Sequence, residues 1–555
     1  MIDEPVEETR DVDGAFPRLT DAQIAQLAPV GERRLIQAGD LLFRAGDRGY
    51  DFFVVLAGKV ATVADYGTPD QRLIAVHGPG RFLGEISLLT GQAAPFAAVV
   101  VDPGEVLAVP PERLKDAATQ DPALGDLIVR AFLLRRSILV GLGAGLKIIG
   151  SRFSADSRRL REFAIRNRIP HRWLDLEGDA NSEELLRQCG VSADETPVVI
   201  WGDRVLRNPS NAELADVIGL HDAVQSTALY DLLIVGAGPA GLAAAVYGAS
   251  EGLMTIAVDG VAVGGQAATT SRIENYLGFP AGISGSELAE RATVQARKFG
   301  ARLSVPSEAR SLARRDGHYI VGLHDGSEVE ARNVVIATGA RYRKLDVPRL
   351  EELEGTSVYY AATSMEAQLC RGDEVAVVGG GNSAGQATVY LSQFTPRVHL
   401  LVREDDLGVN MSRYLADRIV RTPNVEILLR HEVRELVGEG TLEGLVVENL
   451  ETHEGRRVDA RALFVFIGAD PHTDWLGDCV ALDDRGYVIT GSAVADGDGE
   501  RLALETSVPG IFAVGDVRRG SVKRMASGVG EGAMAVRLVH ERMASDGQPV
   551  PPLDL

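Results

Sequence analysis

Two stretches of the sequence decide the fold. Residues 229–248 read LYDLLIVGAGPAGLAAAVYG, and residues 373–392 read DEVAVVGGGNSAGQATVYLS. In each stretch an apolar run typical of a buried strand leads into a glycine-rich turn, and a run of helix-forming residues follows. A strand, a glycine turn and a helix in this order are typical of a dinucleotide-binding βα unit. The part of the chain from about residue 228 onward therefore contains two such units.

The first turn, GAGPAG at residues 236–241, has the spacing GxGxxG. The first glycine allows a tight turn, the second lets backbone approach a pyrophosphate, and the third lets the helix pack on the strand. The helix N-terminus then faces the phosphates with its partial positive charge. An acid ends the next apolar run, LMTIAVD, where a carboxylate accepts hydrogen bonds from ribose hydroxyls. The candidate contacts are Gly236, Gly238, Pro239, Ala240, Gly241 and Asp259.

The second turn repeats the pattern as GxGxxA, and its next apolar run, VHLLV, is followed by Arg403 instead of an acid. A cation at this position suits a 2′-phosphate, which favours NADP over NAD. Glu404 and Asp405 beside it argue against NADP, and a solvated surface charge is the alternative interpretation of Arg403. The candidate contacts are Gly379, Gly381, Asn382, Ser383, Ala384 and Arg403.

Composition excludes several classes of protein. The chain has 555 residues with 57 Lys+Arg against 78 Asp+Glu, a formal net charge of −21, which argues against a nucleic-acid-binding protein. The acidic N-terminus lacks the apolar segment of a signal peptide. Residues 232–250 are uncharged, but their glycines and proline favour a buried βα unit over a membrane span. Three widely spaced cysteines exclude a disulfide framework and a cysteine-based zinc site, so we predict a cytoplasmic protein.

Two further blocks precede the dinucleotide units. In residues 1–145, short apolar runs separated by glycine turns predict a small β-barrel, and residues 121–142 predict a helical tail. Residues 146–222 alternate strand and helix patterns in an α/β segment. The predicted fold is therefore multidomain, with two Rossmann-like (three-layer α/β) domains after these blocks.

The C-terminal part resembles the low-molecular-weight thioredoxin reductases and their flavoprotein relatives. The matching motifs occur in the family's order: VGAGPAGLAAAVYGASEG, GGQAATTSRIENYLGFP, VVIATGARYR, VVGGGNSAGQA, FIGADPHTDWL and IFAVGDVRRGSVKRMASGVGEGAMAV. The resemblance implies an FAD-binding domain at residues 228–342 and 471–555, an NAD(P)H-binding domain at residues 343–470, and a homodimer. By resemblance, further FAD contacts are Gly265, Gln266, Asn275, Thr338, Gly339, Gly515 and Asp516. Residues expected near the flavin ring are Lys523, Arg524, Met525 and Ala526. An alternative role for Asp516 is that of a helix N-cap.

The chain departs from this family at the redox centre. The family carries YCATC just before the second glycine turn, and here the same place reads Tyr360, Ala361, Ala362, Thr363 and Ser364. Only a thiolate pair can take flavin electrons into a disulfide, so the usual dithiol route is not expected. Cys370, six residues after Ser364, is interpreted as an ordinary small apolar residue.

The two N-terminal blocks carry weaker resemblances. Residues 146–222 resemble a glutaredoxin/thioredoxin-like fold, with Thr196-Pro197 at the cis-proline position, but SADS stands where CxxC is usual. Cys189 is interpreted as structural, and the segment as a docking or spacer module. Residues 1–145 resemble cyclic-nucleotide-binding domains through FRAGD, FFVVLAGKV and PGRFLGEISLLTGQAAPFAAVVV. The resemblance gives Gly84 and Glu85 as contacts of a regulatory ligand. Phe96 replaces the arginine that pairs with the cyclic phosphate, so the alternative to a site for a cyclic nucleotide or another small effector is a degenerate regulatory or dimerising module. The alternative role of Glu85 is that of a structural hydrogen-bond acceptor.

These features predict an FAD- and NADPH-dependent oxidoreductase with no catalytic cysteines of its own. Its electrons would pass to a small molecule or a redox protein, and the N-terminal block would gate the activity. Two alternatives are a non-catalytic sensor that binds FAD and NADP(H), and a thioredoxin-disulfide reductase that uses a partner's cysteines. No metal site is predicted.

Overall fold

The computed structural model describes most of the chain, namely residues 7–179, 182, 185–187, 189–202, 204–220, 228–270, 273, 275–354, 356–360, 362, 364–494 and 501–548. It divides the chain into two compact units. The first comprises residues 1–225, 260–262 and 293–308, and the second comprises residues 226–259, 263–292 and 309–555.

The first unit contains these strands: β1 Glu32–Ile36, β2 Leu41–Phe43, β3 Phe52–Ala64, β4 Arg72–His77, β5 Phe82–Leu83, β6 Ala97–Val109, β7 Leu146–Gly150, β8 His171–Asp175, β9 Val198–Trp201 and β10 Arg204–Arg207. Its helices are α1 Asp21–Leu27, α2 Glu85–Thr90, α3 Pro111–Gln120, α4 Pro122–Leu142, α5 Ala155–Arg166 and α6 Asn211–Ile218.

The later helices are α7 Pro239–Ser250, α8 Gly285–Lys298, α9 Leu350–Leu353, α10 Ser364–Leu369, α11 Asn382–Leu391, α12 Arg413–Val420 and α13 Met525–Ser545. The later strands are β11 Leu229–Val235, β12 Thr255–Val258, β13 Arg302–Ser304, β14 Ala309–Arg315, β15 His318–Leu323, β16 Glu328–Ile336, β17 Ala340–Tyr342, β18 Val358–Tyr359, β19 Val375–Val378, β20 Val398–Val402, β21 Val425–Leu429, β22 His431–Val437, β23 Gly444–Asn449, β24 Gly455–Asp459, β25 Ala462–Val465, β26 Ala469–Pro471 and β27 Ile511–Ala513.

The N-terminal segment is an antiparallel sheet followed by helices. The strand order is β1-β6-β3-β4, with β2 on β6 and β5 on β3, and the described pairings do not close it into a full barrel. The long strands β3 and β6 pair in its centre, where Val54 lies opposite Leu107. Helix α4 begins after Asp121, whose carboxylate accepts hydrogen bonds from the amides of residues 123 and 124, and ends at Gly143 in the left-handed region. The predicted strands and helical tail are confirmed, whereas the predicted closure of the strands into a barrel is not seen among the described residues.

The middle segment is an α/β fold with the strand order β10-β9-β7-β8. Strands β7 and β8 are parallel, whereas β9 runs antiparallel to β7. Ser154 caps α5, and the Thr196-Pro197 peptide is cis, as predicted. Strand β10 was not predicted from the sequence, because RVLR is short, half-exposed and has an arginine at each end.

Buried charge joins the middle segment to the N-terminal segment within the first unit. The Lys147 ammonium on β7 lies 3.1 Å from the Asp65 carboxylate and 3.0 Å from that of Asp70. Lys147 is buried, and two carboxylates offset the cost of desolvating it. Its hydrogen bond and charge lower the pKa of Asp70. The amide of Ala93 also donates to the carbonyl of Ile218. These contacts hold the two segments together, and the spacer or docking role of the middle segment stays a prediction.

The second unit carries a mixed sheet with parallel central strands and a fully parallel sheet, both at the predicted positions. In one, β11 lies between β12 and β16, β27 adds parallel to β16, and the antiparallel strands β15 and β14 follow. In the other, the order is β18-β25-β19-β20-β21. Apolar runs such as VAVV and VHLLV are buried throughout, as expected for strands covered on both faces. The Rossmann-like domains are confirmed.

A two-stranded ribbon joins the predicted FAD and NAD(P)H segments. Strand β17 pairs antiparallel with β26, so that Arg341 lies opposite Asp470. The predicted boundaries between the two segments, near residues 342 and 471, fall at this ribbon. The division into FAD-binding and NAD(P)H-binding domains stays a prediction. A third, antiparallel sheet has the order β22-β23-β24. Among the described residues, no helix is long and apolar enough to span a membrane.

Candidate functional site

The first glycine turn follows β11 at the carboxyl end of a central parallel strand, the usual place for a ligand in such sheets. A Cβ on Gly236 would stand 2.3 Å from the carbonyl oxygen of Ala337, and one on Gly241 would stand 1.9 Å from that of Gly236. A Cβ on Gly238 would meet nothing closer than the Cα of Gly265 at 4.0 Å. The outer glycines are thus required by packing, whereas the middle one faces the space where a pyrophosphate would lie.

The second turn, which follows β19, also has a closely packed first position and an open second position. A Cβ on Gly379 would stand 2.3 Å from the carbonyl oxygen of Phe466, whereas the position of Gly381 has no neighbouring atom within 4 Å. Ala384 occupies the third position and is fully buried. Asn382 accepts a hydrogen bond from the amide of Ser412 at 2.7 Å, and Ser383 is exposed. The turn geometry therefore fits a second dinucleotide.

Each turn leads into a helix whose N-terminus faces the space where a pyrophosphate would lie. Gly238 is the N-cap of α7, which has Pro239 in its first turn, and Gly381 is the N-cap of α11. Neither cap supplies a side-chain hydrogen bond. The first amides of each helix therefore lack the usual partner, and a phosphate can accept from them.

Other predicted FAD residues converge on the first turn. Gly265 approaches Gly238 closely, since a Cβ on Gly265 would stand 3.1 Å from the Cα of Gly238. A Cβ on Gly515 would stand 3.1 Å from the Cβ of Ala240. A Cβ on Gly532, in α13, would stand 2.1 Å from the carbonyl oxygen of Ala240. The structure thus brings together residues that are almost 300 positions apart in the sequence.

Asp259 fixes the backbone of the first turn. Its carboxylate accepts a hydrogen bond from the amide of Ala237 at 2.8 Å. The residue follows β12, the strand beside β11, as predicted. A carboxylate at this strand end is the group that hydrogen-bonds a ribose hydroxyl in dinucleotide-binding folds.

Hydrogen bonds to backbone carbonyls link the segment after β16 with the segment after β26. The hydroxyl of Thr338 donates to the carbonyl of His472 at 2.7 Å, and the amide of His472 donates to the carbonyl of Gly339. The Gln266 side-chain amide donates to the carbonyl of Ala340. Asn275 lies in an exposed bend.

The segment that precedes α13 carries charged side chains that are only partly buried. Burial raises the pKa of Asp516, while the Lys523 charge lowers it and that of Glu531 raises it further. The Lys523 ammonium donates to the hydroxyl of Tyr487 at 2.9 Å. Arg524 is the N-cap of α13, and Met525 and Ala526 begin the helix. Asp516 is therefore not the N-cap of α13, which removes that alternative for its role.

Comparison with known proteins agrees with this geometry. The family profile described as pyridine nucleotide-disulphide oxidoreductase matches residues 230–532, more than half of the chain. The chain belongs to this family. A thioredoxin reductase of Peptoclostridium acidaminophilum is 35% identical over 313 residues, covering 55% of this chain and 95% of that protein. A 34.2 kDa protein in the rubredoxin operon of Clostridium pasteurianum is 32% identical, covering 56% of this chain and 96% of that protein.

A solved structure and a second profile extend the comparison. The crystal structure of Lactococcus lactis thioredoxin reductase aligns with a TM-score of 0.53 and 28% identity, covering 57% of this chain and 99% of that one. The cyclic nucleotide-binding domain profile matches residues 33–121. The chain is thus an NAD(P)H-dependent flavin oxidoreductase by family, joined to an N-terminal domain of another family.

At the second turn of this oxidoreductase, Glu404 lies nearer to the glycines than Arg403 does. A Cβ on Gly380 would stand 2.8 Å from a Glu404 carboxylate oxygen, and the Asn410 amide donates to the other oxygen at 2.8 Å. The Arg403 side chain is 67% exposed and lies 3.2 Å from the Glu432 carboxylate. In the sequence, Glu404 is only a charge that argues against NADP, because its approach to the turn depends on tertiary packing.

The described cysteines are free thiols in settings that disfavour the thiolate. Burial, helped by the charges of Asp373 and Glu366, raises the pKa of Cys370 to about 12. Burial also raises the pKa of Cys479, whose thiol donates to the carbonyl of Leu312. Cys189 is partly buried at the end of its helical run. Ala361 and the side chain of Ser364 lie outside the described residues, and the described part of the chain holds no metal-ligand cluster.

The N-terminal domain encloses a cavity at the predicted ligand residues. Gly84 adopts φ +101°, and a Cβ there would stand 2.5 Å from the carbonyl oxygen of Asp51, so its first role is structural. Glu85 is buried and lies 2.9 Å from the Arg135 guanidinium on α4. Phe96 lines the same cavity. Sequence reasoning missed Arg135, although two adjacent arginines inside the apolar run AFLLRRSILV were a visible signal.

Proposed function

We propose that this chain is an FAD-containing oxidoreductase that oxidises NADPH and passes the electrons to an acceptor other than its own thiols. One observation carries the proposal: both glycine turns keep the geometry of a pyrophosphate cradle, whereas Ala361 and Ser364 occupy the two cysteine positions of the resembled motif. Intact dinucleotide sites without a thiol pair fit hydride transfer to flavin and an external second step.

The FAD would lie at the first turn. The α7 N-terminus and Gly238 would hold the pyrophosphate, Asp259 the ribose, and the residues around Gly515 the flavin end. When bound, the flavin accepts hydride from a reduced nicotinamide and returns electrons to an acceptor. The overall balance is NADPH, a proton and an oxidised acceptor giving NADP⁺ and a reduced acceptor.

The NADPH would lie at the second turn, with Gly381 and the α11 N-terminus on its pyrophosphate. Arg403 and Arg434 share the carboxylate of Glu432, at 3.2 and 2.5 Å. Arg434 also pairs with Glu448 at 2.9 Å, so two cations face two carboxylates. The Arg403 side chain is 67% exposed and can turn from Glu432 toward a 2′-phosphate, which supports NADPH against the nearby Glu404.

The acceptor would be a small molecule or a redox protein. The thioredoxin reductases among the relatives favour one variant, in which a partner's cysteines replace the missing pair and the chain reduces a thioredoxin disulfide. A non-catalytic sensor that binds both dinucleotides is the alternative without turnover. A cytoplasmic homodimer, and gating by the N-terminal domain, complete the proposal.

An anaerobic titration of the FAD-loaded protein with NADPH, followed by flavin absorbance, tests this function. We expect one equivalent to bleach the flavin completely. The variant with Ala361→Cys and Ser364→Cys restores the motif's thiol pair and is expected to consume a second equivalent. This pair of titrations counts electron-accepting centres directly.

Each outcome decides between the candidates. A native requirement for two equivalents would show a redox-active thiol pair and overturn the proposal. A flavin that stays oxidised with both NADPH and NADH would favour the sensor. Turnover that appears only with thioredoxin and a disulfide substrate would favour the partner-cysteine variant.

A further inference from the structure

A short turn follows β27 at the same sheet edge as the first glycine turn. Strand β27 runs parallel to β16, and β16 runs parallel to β11, so the carboxyl ends of all three strands lie at one edge. Residues 515–517 form a single turn of 3₁₀ helix there, and Gly515 adopts φ +73° in the left-handed region. A Cβ on Gly515 would stand 3.1 Å from the Cβ of Ala240, in the first turn of α7. The 515–517 turn therefore lies beside the pyrophosphate site proposed at α7.

A side chain from another element holds the start of the 515–517 turn. Gly515 is buried, and the residue before it, Val514, supplies no capping hydrogen bond. The amide of Gly515 instead donates to a carboxylate oxygen of Glu531, on α13, at 2.7 Å. A buried amide that loses its acceptor is costly, because it cannot exchange that acceptor for water. Glu531 thus takes the place of a local cap.

Arg518 also binds the Glu531 carboxylate. Its Nη2 donates to one oxygen at 2.5 Å, and its Nε donates at 3.3 Å to the oxygen that accepts from Gly515. The Arg518 and Glu531 side chains are only 19% and 14% exposed. A two-point contact between a guanidinium and a carboxylate restricts the orientation of both groups. The Glu531 carboxylate is therefore held in one place relative to Gly515.

The packing of α13 against α7 fixes the backbone from which Glu531 reaches the turn. A Cβ on Gly532, the next residue, would stand 2.1 Å from the carbonyl oxygen of Ala240. A Cβ on Gly528, four positions earlier, would stand 3.6 Å from the Cβ of Ala240. Both glycines therefore lie on the face of α13 that packs against α7. The chain thus links α7, α13 and the 515–517 turn through Glu531 and its neighbours.

Asp516 is the ionisable residue of the 515–517 turn. Burial raises the pKa of its carboxyl, the positive charge of Lys523 lowers it, and the negative charge of Glu531 raises it. Removal of the Glu531 charge should therefore lower the pKa of Asp516 while its burial stays the same. Arg518 would then lack its anionic partner, which acts in the same direction.

We propose that Glu531 is a positioning residue for FAD, which holds the 515–517 turn against α7 so that the Asp516 carboxyl meets the flavin end of the cofactor. Glu531 acts through the backbone of Gly515 and through the charge that it places near Asp516. The inference rests on the proposed FAD site. It concerns cofactor binding, which is measured without NADPH.

Equilibrium dilution of the full FAD-loaded chain, followed by the fluorescence of released FAD, tests the inference. Glu531→Ala leaves the Gly515 amide without its acceptor and should weaken FAD binding about tenfold or more at pH 7. Glu531→Gln keeps an acceptor oxygen without the charge and should bind FAD within about threefold of the native affinity. Glu541→Gln removes an exposed charge from the same helix and is the matched control, expected to bind FAD as the native chain does.

The pH profile of FAD affinity distinguishes positioning at the cofactor from a merely structural role. Measured between pH 4 and pH 8, the profile of Glu531→Gln should be displaced to lower pH, because the pKa of Asp516 falls when the neighbouring charge is removed. Glu541→Gln should keep the native profile. A residue that only stabilised the fold would change the affinity at every pH without displacing the profile.

Several outcomes would overturn the inference. Native affinity in Glu531→Ala would remove the positioning role, and an undisplaced profile in Glu531→Gln would remove the link to Asp516. Where Glu531→Ala does not fold, the profile of Glu531→Gln decides alone. A native chain that binds FAD and fails to oxidise NADPH would contradict the proposed function and leave this inference standing. A native chain that binds no FAD would overturn both.

Discussion

The two glycine turns of the second unit share one backbone design and differ in the side chains at the end of the neighbouring strand. In both, the first position lies against a carbonyl oxygen 2.3 Å from a would-be Cβ, and the second faces open space. Beside the first turn, Asp259 is hydrogen-bonded to the turn itself. Beside the second, the Glu404 carboxylate approaches the turn at Gly380, whereas exposed Arg403 pairs with Glu432. From this difference we expect the glycine spacing to set where a pyrophosphate lies, and the end of the neighbouring strand to set which dinucleotide is preferred.

The largest expected effect tests the third position, which is glycine in one turn and alanine in the other. Gly241→Ala would place a Cβ 1.9 Å from the carbonyl oxygen of Gly236, in the interior where a clash of backbone cannot relax. We expect a loss of about 3 kcal/mol or more and purification without FAD. The flavin-to-protein ratio and the thermal midpoint measure this.

Gly530→Ala is the matched control for that substitution. Gly530 lies in α13 with no atom within 4 Å of a would-be Cβ. Alanine there should stabilise the helix by about 0.5–1 kcal/mol. Normal FAD content in Gly241→Ala would show that the close packing at the first turn is dispensable.

The next largest effect tests Asp259, which stands at the strand end beside the first turn. Asp259→Ala removes a charged hydrogen-bond acceptor from the amide of Ala237, and such a bond contributes about 1.5–3 kcal/mol. We expect FAD affinity to fall about 10- to 100-fold, with NADPH binding unchanged. Titration of the apoprotein with FAD measures it, and Asp325→Ala in an exposed loop serves as the control. An unchanged FAD affinity would contradict the role of Asp259.

A smaller effect concerns nicotinamide preference at the second turn. Arg403→Ala should raise the KM for NADPH about tenfold and leave that for NADH unaltered, because only NADPH carries the 2′-phosphate. Glu404→Gln should have the opposite effect and lower the KM for NADPH, since it removes a negative charge that repels the 2′-phosphate. Arg397→Ala, at an exposed pair 3.9 Å from Glu426, is the control. A loss of NADH activity in Arg403→Ala would assign that arginine to the shared part of the dinucleotide.

The sequence predicted the parts of this architecture that depend on local pattern. The strand, turn and helix of each dinucleotide unit and the helix after Asp121 follow from spacing and from short-range hydrogen bonds. The pairing of Glu85 with Arg135, 50 positions apart, and the approach of Glu404 to Gly380 depend on tertiary packing. No periodicity encodes such contacts. Strand β10 was missed because its four residues carry a charge at each end.

The smallest expected effect concerns Cys370, the buried thiol of the domain that carries the second turn. Because burial raises its pKa from 9.0 to about 12, the thiol stays protonated at neutral pH and is a poor nucleophile. Cys370→Ser should therefore leave the NADPH titration stoichiometry and turnover unchanged.

The same pKa shift predicts a dependence of stability on pH. The raised value means that the folded chain holds this proton more tightly than the unfolded chain does. The contribution of Cys370 to stability is therefore fully present below pH 9 and is lost as the pH rises from 9.0 toward about 12. Denaturant unfolding at pH 7 and pH 10 should show a smaller pH-dependent loss in Cys370→Ser than in the native chain. An equal loss in both would place the titrating group elsewhere, and a changed NADPH stoichiometry in Cys370→Ser would return a redox role to this thiol.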